Sequence, residues 1–271
     1  MRTILVIARK EIQEGLRNRW VLATTLLLAT LALTLTFLGS APTGNVGASA
    51  LDVIVVSLSS LSVFLVPLIA LLISHDAIVG EAERGTLLLL LSYPLARFQV
   101  IAGKFIGHLA ILAFATLIGY GAAALALGLG GGAGLAAGWP AFALLIGSSV
   151  LLGAVFIAIG YLVSTLAGER GTAGGIAVGV WLVFVLVYDM ALLGLLVADQ
   201  GRTVTGGLLN ALLLLNPTDA YRLLNLGGEA GAISGMAGAA SLSAPALVAA
   251  LALWAALPLA AAMLVFSRRE A

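Results

Sequence analysis

The sequence predicts an all-α polytopic membrane protein, and three observations point to this class. The chain has 271 residues, of which 62% are hydrophobic and only 9% are charged. Soluble domains average about 25% charged residues, so this chain lacks the residues for a water-exposed surface. Its long apolar runs reach the ~20 residues that a helix needs to cross a bilayer core. The basic residues lie between alternate runs, as the positive-inside rule describes.

Six apolar runs are predicted to be membrane-spanning helices of one transmembrane domain that covers residues 1–271. The runs are too long for the strands of an outer-membrane barrel, and the alternation typical of such strands does not occur. They comprise residues 20–38, 53–73, 105–129, 139–167, 172–198 and 244–266. Three segments outside these runs, residues 1–19, 75–100 and 199–243, contain most of the remaining information about function.

Residues 1–19 are predicted to form an amphipathic elbow helix. Leu5, Ala8, Ile12 and Leu16 recur at helical spacing, and charged residues occupy the other face. A basic amphipathic helix of this kind lies in the plane of the membrane interface, anchored by a tryptophan such as Trp20. The alternative interpretation is a basic flank that only fixes the topology.

The distribution of basic residues predicts that both termini are cytoplasmic in a bacterial inner membrane. This orientation places 11 of the 13 Lys and Arg residues on the inner side and leaves only Arg202 and Arg222 outside. Residues 199–243 are then periplasmic. The formal net charge of +1 and the lack of aromatic residues interleaved with basic ones give no indication of a nucleic-acid partner.

Residues 75–100 join the second and third spans on the cytoplasmic side and are unusually rich in charge. Gly85 interrupts the segment, the run "TLLLLL" is too short to span, and Pro94 ends it. We therefore expect a short amphipathic helix at the membrane surface. The segment is either an ordinary solvated loop or a docking element for a cytoplasmic partner.

Asp189 is the one carboxylate predicted to lie well inside a span. A charge in mid-bilayer costs about 2.5–3.5 kcal/mol on insertion scales, so the side chain should face protein or a wet cavity. It either lines a polar cavity in a dimer or is hydrogen-bonded to a Tyr or Ser on a neighbouring helix. Gly171, Gly175 and Gly179 form a small-residue ridge on the same span that permits close helix contact.

The periplasmic segment contains the run "LLLLNPTDAYRLLNL", in which a new helix is expected to begin near Pro217. Asp219 and Arg222 then lie one turn apart. The run is either an interfacial helix that stabilises an outer gate or a surface for a periplasmic partner. The residues assigned to this partner or gate are Asn216, Pro217, Asp219, Tyr221 and Arg222.

Catalytic chemistry on this chain is not expected. A P-loop requires Gly, Lys and Ser or Thr at fixed spacing, but around Lys104 the first glycine is replaced by Phe98 and the hydroxyl residue by Phe105. The chain has no cysteine, and His75 and His108 do not fit a metal-ligand spacing. Protease motifs are also missing. We therefore assign no catalytic, cofactor-binding or metal-binding residue, and any ATPase must be a separate chain.

Two stretches resemble a known family. "IARKEIQEGLRNRW" and "GEAERGTLLLLLSYPLARFQVIAGK" are similar to permeases of the second type of ABC exporter. The resemblance implies six spans, an N-terminal elbow helix and a cytoplasmic coupling helix. By the same resemblance, the residues that contact the ATPase would be Glu81, Glu83, Arg84 and Gly85.

Within that family, "HDAIVGE" and "LLNPTDAYRLLNL" look like permeases that serve maturation of the copper site of nitrous oxide reductase. This closer resemblance implies a homodimer, two copies of a cytoplasmic ATPase that binds ATP and Mg, and a periplasmic copper-handling protein of the NosD kind. The alternatives are an ABC exporter for another substrate, or a non-ABC scaffold or secondary transporter. Secondary transport usually requires more intramembrane charge than Asp189 alone.

Soft ligands for copper are scarce in the chain. A copper conduit would need thiolates, thioethers or imidazoles in succession across the bilayer. The only such side chains are those of Met1, His75, His108, Met190, Met236 and Met263. We therefore expect the permease to relay conformational change to the periplasmic partner, or to carry a species other than bare copper.

Overall fold

The computed structural model describes residues 2–17, 19–39, 50–93, 95–129, 135–200, 202–226 and 242–268, and all of its regular structure is helical. No strand occurs in these ranges. The prediction of an all-α membrane protein is therefore confirmed. Pro94 lies outside the described residues.

The chain forms twelve described α-helices, several of them long enough to cross a bilayer. They are α1 (Arg2–Leu16), α2 (Arg19–Gly39), α3 (Ala50–Ser74), α4 (Val79–Glu83), α5 (Thr86–Leu91), α6 (Arg97–Leu129), α7 (Leu135–Leu166), α8 (Arg170–Leu182), α9 (Tyr188–Asp199), α10 (Gly206–Leu214), α11 (Pro217–Leu226) and α12 (Ala244–Arg268). A π-helical turn over Val183–Val187 joins α8 to α9.

Five described segments are long and apolar enough to span a membrane. They are Val53–Glu83, Arg97–Leu129, Trp139–Leu166, Arg170–Asp199 and Ala244–Arg268. A sixth is obtained if α1 and α2, bent by 69° relative to each other, count as one span. The exact number of spans and the elbow role of α1 thus stay predictions. The third predicted span begins earlier than expected, at Arg97, because α6 includes residues 97–104.

Helix α7 lies at the centre of the bundle and contacts α3, α6, α11 and α12. Leu152, Val155, Phe156, Ile157 and Tyr161 are buried along its length. A helix that is apolar on all sides is typical of the interior of a membrane bundle, where it has protein neighbours all round. This position lets α7 hold the elements that carry the polar residues in separate parts of the bundle.

Helix α1 packs closely on α6, and two glycines of α6 make this possible. A side chain at Gly103 would come within 2.7 Å of Ile7 Cβ, and one at Gly107 within 2.5 Å of Glu11 Cβ. The face of α1 that is buried contains Ile7, Ala8 and Glu11. The predicted apolar stripe is thus divided: Ala8 packs on α6, whereas Leu5 and Leu16 are exposed on the outside of the bundle. Those apolar side chains are left for lipid.

Helices α8 and α9 form a long span with few neighbours within the chain. Ala173, Ala177 and Val185 are buried, whereas most of the other side chains are exposed or half-buried. The predicted glycine ridge at Gly171, Gly175 and Gly179 has no atom within 4 Å of the position that a Cβ would take. Within one chain, close packing uses glycines of α6 and of α7, such as Gly107 and Gly153, and the ridge on α8 stays bare.

Candidate functional site

Two groups of polar side chains lie in separate parts of the bundle. The first, here the Lys104 cluster, lies where α3 and α7 end and α6 and α8 begin. The second, the Arg222 cluster, joins α9 to α11. The Lys104 cluster comprises Glu11, Asp76, Glu81, Lys104, His108, Tyr161 and Arg170. The Arg222 cluster comprises Asp189, Asn216, Thr218, Asp219 and Arg222.

Lys104 is a buried ammonium held between two carboxylates from different helices. Its Nζ lies 2.7 Å from Glu11 Oε1 of α1 and 2.8 Å from Glu81 Oε1 of α4. The side chain of Lys104 is 4% exposed, that of Glu11 is 9% exposed and that of Glu81 is 12% exposed. Burial alone would raise the pKa of Glu11, but the charge and hydrogen bond of Lys104 hold it below its usual value. Glu11 is therefore ionised at neutral pH.

His108 extends the cluster toward α7. Its Nδ1 lies 2.8 Å from the Tyr161 hydroxyl, and its Nε2 lies 3.5 Å from Glu11 Oε2. When the tyrosine O–H donates to Nδ1, the neutral imidazole carries its proton on Nε2, which then faces the Glu11 carboxylate. His108 thus contacts Oε2 of Glu11, while Lys104 contacts Oε1.

The segment that links α3 to α5 is fixed to two further helices. The backbone N–H groups of Ile78 and Val79 donate to Ser164 Oγ of α7 at 3.0 and 3.1 Å. Arg170, at the start of α8, pairs with Asp76 at 2.8 Å and donates its backbone N–H to Glu83 Oε1 at 2.7 Å. The segment is therefore a braced part of the bundle and not a freely solvated loop.

The four residues expected to contact an ATPase do not share one surface. Glu83, Arg84 and Gly85 are exposed, but the Glu81 carboxylate is directed inward to Lys104. The expectation that Glu81 meets a partner is thus corrected: its carboxylate pairs with the buried Lys104 and is not part of the exposed surface. Gly85 has a φ of 71° between α4 and α5, a left-handed conformation that favours glycine.

A cavity of about 570 Å³ adjoins the Lys104 cluster. Its walls are apolar toward the spans, with Val21, Leu72 and Ile111, and charged toward the other end, with Glu14 and Arg84. His75 and His108 both line it, although their spacing in the sequence does not associate them. Elements on opposite sides of this space have room to change their separation.

The Arg222 cluster is a charge network built around one guanidinium. Nη2 of Arg222 lies 2.8 Å from Asp189 Oδ2, and Nη1 lies 2.8 Å from Asp219 Oδ1. Asp189 therefore pairs with a cation, which neither of the two expected environments included. Burial and the nearby Asp189 carboxylate raise the pKa of Asp219 to about 7, against the lowering effect of Arg222.

The π-helical turn supplies a backbone acceptor to the same network. The carbonyl oxygen of Phe184 accepts hydrogen bonds from Asn216 Nδ2 and Thr218 Oγ1, both at 3.0 Å. Asn216 Nδ2 also donates to Asp219 Oδ2 at 3.0 Å. A π-helical turn disturbs the regular bonding ladder of a helix, so a carbonyl there is available to side chains. The start of α11 is thereby attached to the α8–α9 span.

Most residues assigned to a periplasmic partner or gate are inside the protein. Asn216 and Tyr221 are fully buried, and Asp219 is 5% exposed. Tyr221 Oη lies 2.9 Å from Ser149 Oγ of α7. Pro217 is buried as well, and Arg222 is the member with substantial exposure. A partner therefore cannot grip these side chains directly, and the interpretation as an outer gate element agrees better with their burial.

The sequence interpretation missed the link between Glu11 and Lys104, although a signal existed. Glu11 follows Ile7 and Ala8 on one helical face, and Lys104 lies one turn before His108 in a helix that continues into a span. A charge at such a position requires a partner of opposite sign. Which carboxylate it would be depends on how α1 crosses α6, and that angle is not encoded locally.

Groups of three or more His, Cys, Asp or Glu side chains placed to hold a metal ion are not found in the described part of the chain. Met190 is 74% exposed on α9, and Met263 is partly buried on α12. Met1 and Met236 lie outside the described residues. The thioethers and imidazoles that the structure describes are thus dispersed over separate elements.

A bundle of long apolar helices with a charged segment braced by ion pairs and hydrogen bonds defines a polytopic membrane protein. The chain belongs to the ABC-2 family of transporter proteins, whose sequence profile matches residues 5–271. It is 53% identical to the "Probable ABC transporter permease protein NosY" of Pseudomonas aeruginosa, over 99% of both chains. It is 51% identical to the protein of the same name from Stutzerimonas stutzeri, over 94% of this chain and 92% of that one. The resemblance drawn from the sequence motifs is confirmed, and membership implies an ATPase partner and a dimer in general.

Proposed function

We propose that this chain is the membrane permease that couples ATP hydrolysis on a separate cytoplasmic subunit to a periplasmic partner in maturation of the copper site of nitrous oxide reductase. The observation that supports this most directly is the similarity to NosY proteins along almost the whole chain. The ATPase, in two copies, would bind ATP and Mg. The periplasmic partner would be a copper-handling protein resembling NosD.

The segment between α3 and α6 would contact the ATPase and receive its motion. Glu83, Arg84 and Gly85 present exposed polar groups and a backbone turn without side-chain cover, which suit contact with a cytoplasmic subunit. The bonds to Ser164 and Arg170 tie the same segment to α7 and α8. A displacement of the segment would therefore be transmitted into the bundle and not absorbed in a flexible loop.

The output would follow the span formed by α8 and α9. This span begins at Arg170, which pairs with Asp76 of the segment between α3 and α6, and further along it carries Asp189, which pairs with Arg222. One continuous helical element thus contacts both polar clusters. Motion at its first turn would reach α11 and the periplasmic segment 199–243 without any substrate path through the bundle.

The second copy of the chain would pack against the bare face of α8. Gly171, Gly175 and Gly179 form a smooth strip there, and small residues permit the close approach on which helix association in lipid depends. An arrangement of this kind would place the two α8–α9 spans side by side. The alternative proposal, an ABC exporter for another substrate, shares this architecture and differs in what the output does.

Copurification tests the proposal. The parent chain and two variants, Gly85→Leu and Gly85→Asn, are expressed with the ATPase encoded beside the permease gene. A Leu in the left-handed region costs about 1–2 kcal/mol, whereas Asn tolerates it. No neighbouring atom lies within 4 Å of the added Cβ, so neither variant introduces a clash. We expect ATPase binding and copper-site maturation to fall at least tenfold with Leu and to stay near the parent level with Asn.

Membrane insertion of each variant is measured by its yield in the membrane fraction. Unchanged ATPase recovery with Gly85→Leu would contradict the assignment of the segment as the docking element. Normal ATPase recovery from the parent, combined with normal copper-site maturation in a strain that lacks the permease, would favour an exporter for another substrate.

A further inference from the structure

Helix α1 and the short helix α4 meet through a single cation. Glu11 of α1 and Glu81 of α4 each place one carboxylate oxygen within 2.8 Å of Lys104 Nζ. Helix α4 also contacts α5 and α8 and donates the Val79 N–H to Ser164 of α7, whereas α1 packs mainly on α6. The Lys104 ammonium is therefore the bridge between the N-terminal helix and the segment proposed to receive the ATPase.

A contribution to folding stability does not by itself explain why charged side chains form this bridge. Desolvation of buried ions offsets much of their attraction, and apolar replacements of such groups are often equally stable. Here one ammonium faces two carboxylates, and Glu81 Oε2 has no hydrogen-bond partner within the described residues. Helix α1 is already held by the close packing of Ile7 and Ala8 against Gly103 and Gly107. The charges add little that this packing does not provide, except a directional connection to α4.

We infer that Lys104 and Glu11 are positioning residues that make α1 move together with the segment 76–84 when the ATPase subunit acts on it. This inference rests on the proposed function. It gives α1 a role in transmitting motion, which its packing contacts alone do not require. In this scheme α6, which carries Lys104, and α1 form one rigid unit. The cavity beside them, lined by Glu14, Ile111 and Arg84, provides space for the displacement.

Substitution of Glu11 provides the cleanest test, because Lys104 then retains Glu81 and no buried charge is left unpaired. Glu11→Leu removes the connection, and Glu11→Gln keeps an oxygen for Lys104 without the charge. Glu14→Leu is the matched control, since Glu14 lies on the same helix with a side chain that is 61% exposed. None of these residues belongs to the exposed surface proposed to contact the ATPase.

The readout is a distance measured by pulsed electron paramagnetic resonance. Spin labels are attached to cysteines at Gln13 of α1 and at Leu257 of α12, both exposed positions, in this cysteine-free chain, because α7 is itself bonded to the segment through Ser164. Labelled copies are diluted with unlabelled ones so that each dimer carries one pair. The complex with its ATPase is compared without nucleotide and with ADP and vanadate. A purely structural role for Glu11 would change thermal stability but not this nucleotide-dependent shift.

We expect a shift of several ångströms in the parent and in Glu14→Leu, loss of more than half of it in Glu11→Leu, and at least partial recovery in Glu11→Gln. An equal shift in Glu11→Leu and the parent would overturn the inference while leaving the proposed function intact. A parent complex that binds its ATPase and shows no shift would also overturn it. A chain that binds no ATPase at all would instead refute the proposed function.

Discussion

Asp219 lies between the Asp189 carboxylate and the Arg222 guanidinium and is almost completely buried. Asp189, Arg222 and Asn216 face it from α9 and α11. Its pKa is raised to about 7 by burial and by Asp189, compared with about 4 for an ordinary aspartate. Between these two pH values the folded chain holds a proton that the unfolded chain has released. The free energy of unfolding should therefore fall as the pH rises from about 4 to about 7.

Asp219→Asn should remove this part of the pH dependence. We expect the variant to lose the decline in melting temperature between about pH 4 and 7 that Asp219 contributes to the parent. Thermal unfolding in detergent across this range measures the effect. Asp199→Asn is the control, because Asp199 lies outside the Arg222 cluster and its carboxylate accepts hydrogen bonds from the backbone of Thr203 and Val204. Identical slopes for the parent and Asp219→Asn would show that Asp219 is ionised throughout.

Single charges were found from the sequence more readily than their partners. Asp189 stood out because it interrupts an apolar run, and the Asp219–Arg222 pair followed from helical spacing. The contact of this pair with Asp189 does not follow from helical spacing, because it depends on where the π-helical turn directs α9. The ion network around Lys104 is not predictable for the same reason. The sequence shows only that this lysine does not belong to a P-loop.

At the scale of elements, the contact between α1 and α6 depends on two glycines. Gly107→Ala would place a methyl group 2.5 Å from Glu11 Cβ and 3.1 Å from the carbonyl oxygen of Ala8. A carbonyl in a helix cannot move aside alone, so α1 must shift as a whole. Overpacking of this kind costs about 1–3 kcal/mol. We expect a lower melting temperature and faster proteolysis within residues 2–17.

Gly121→Ala provides the matched control on the same helix. A Cβ at Gly121 has no atom within 4 Å, and alanine favours a helix over glycine by about 0.5–1 kcal/mol. This variant should be equal to or slightly more stable than the parent. If Gly107→Ala were as stable as Gly121→Ala, the close approach of α1 to α6 would be incorrect.

The long helices were predictable because length and hydropathy decide which segments cross a bilayer. The ends of these helices are less predictable: α6 starts at Arg97, ahead of its apolar part, and this first portion carries Lys104, which pairs with Glu11 of another helix. The face of α1 that packs on protein is not predictable from the sequence, because Ile7 and Ala8 are buried against glycines of another element. The periodicity of α1 alone contains no information about that neighbour.

For the whole molecule, the distribution of basic residues makes a topological prediction. Single cysteines at Ser92 and Arg202, both exposed, would be labelled with a membrane-impermeant maleimide in the cysteine-free background. With both termini cytoplasmic, position 202 should react in intact cells and position 92 only after permeabilisation. Each serves as the control for the other. The reverse pattern of labelling would invert the orientation, and reaction of both in intact cells would change the number of spans.

The proposal that the permease relays motion rather than copper has its own test. We expect the combined variant His108→Leu, Met190→Leu and Met263→Leu to retain most copper-site maturation, because these side chains lie on separate elements. Tyr161→Phe is the control for His108, since it removes the 2.8 Å hydrogen bond to Nδ1 and leaves the imidazole in place. Disruption of residues 216–222, by contrast, should abolish maturation by detaching α11 from α9.

Maturation is followed by the copper content and activity of nitrous oxide reductase from a complemented strain. Loss in the combined variant, with normal insertion, normal ATPase binding and a functional Tyr161→Phe, would favour a conduit for copper. Retention in the combined variant would favour the relay.

The π-helical turn at Val183–Val187 determines how this membrane span responds to a change in its own length. Such a turn accommodates one more residue than an α-helical turn, and each residue of an α-helix advances the chain by about 100° around the axis. Removal of a single residue within the turn would restore regular winding and leave Asp189 directed toward Arg222. Removal of a residue within α8, where the winding is regular, would instead rotate Asp189 by that angle relative to the first turn of α8. Loops usually absorb insertions and deletions while helices tolerate exchanges of side chain. Here a single deletion between 183 and 187 should be tolerated, whereas one within α8 should separate Asp189 from Arg222.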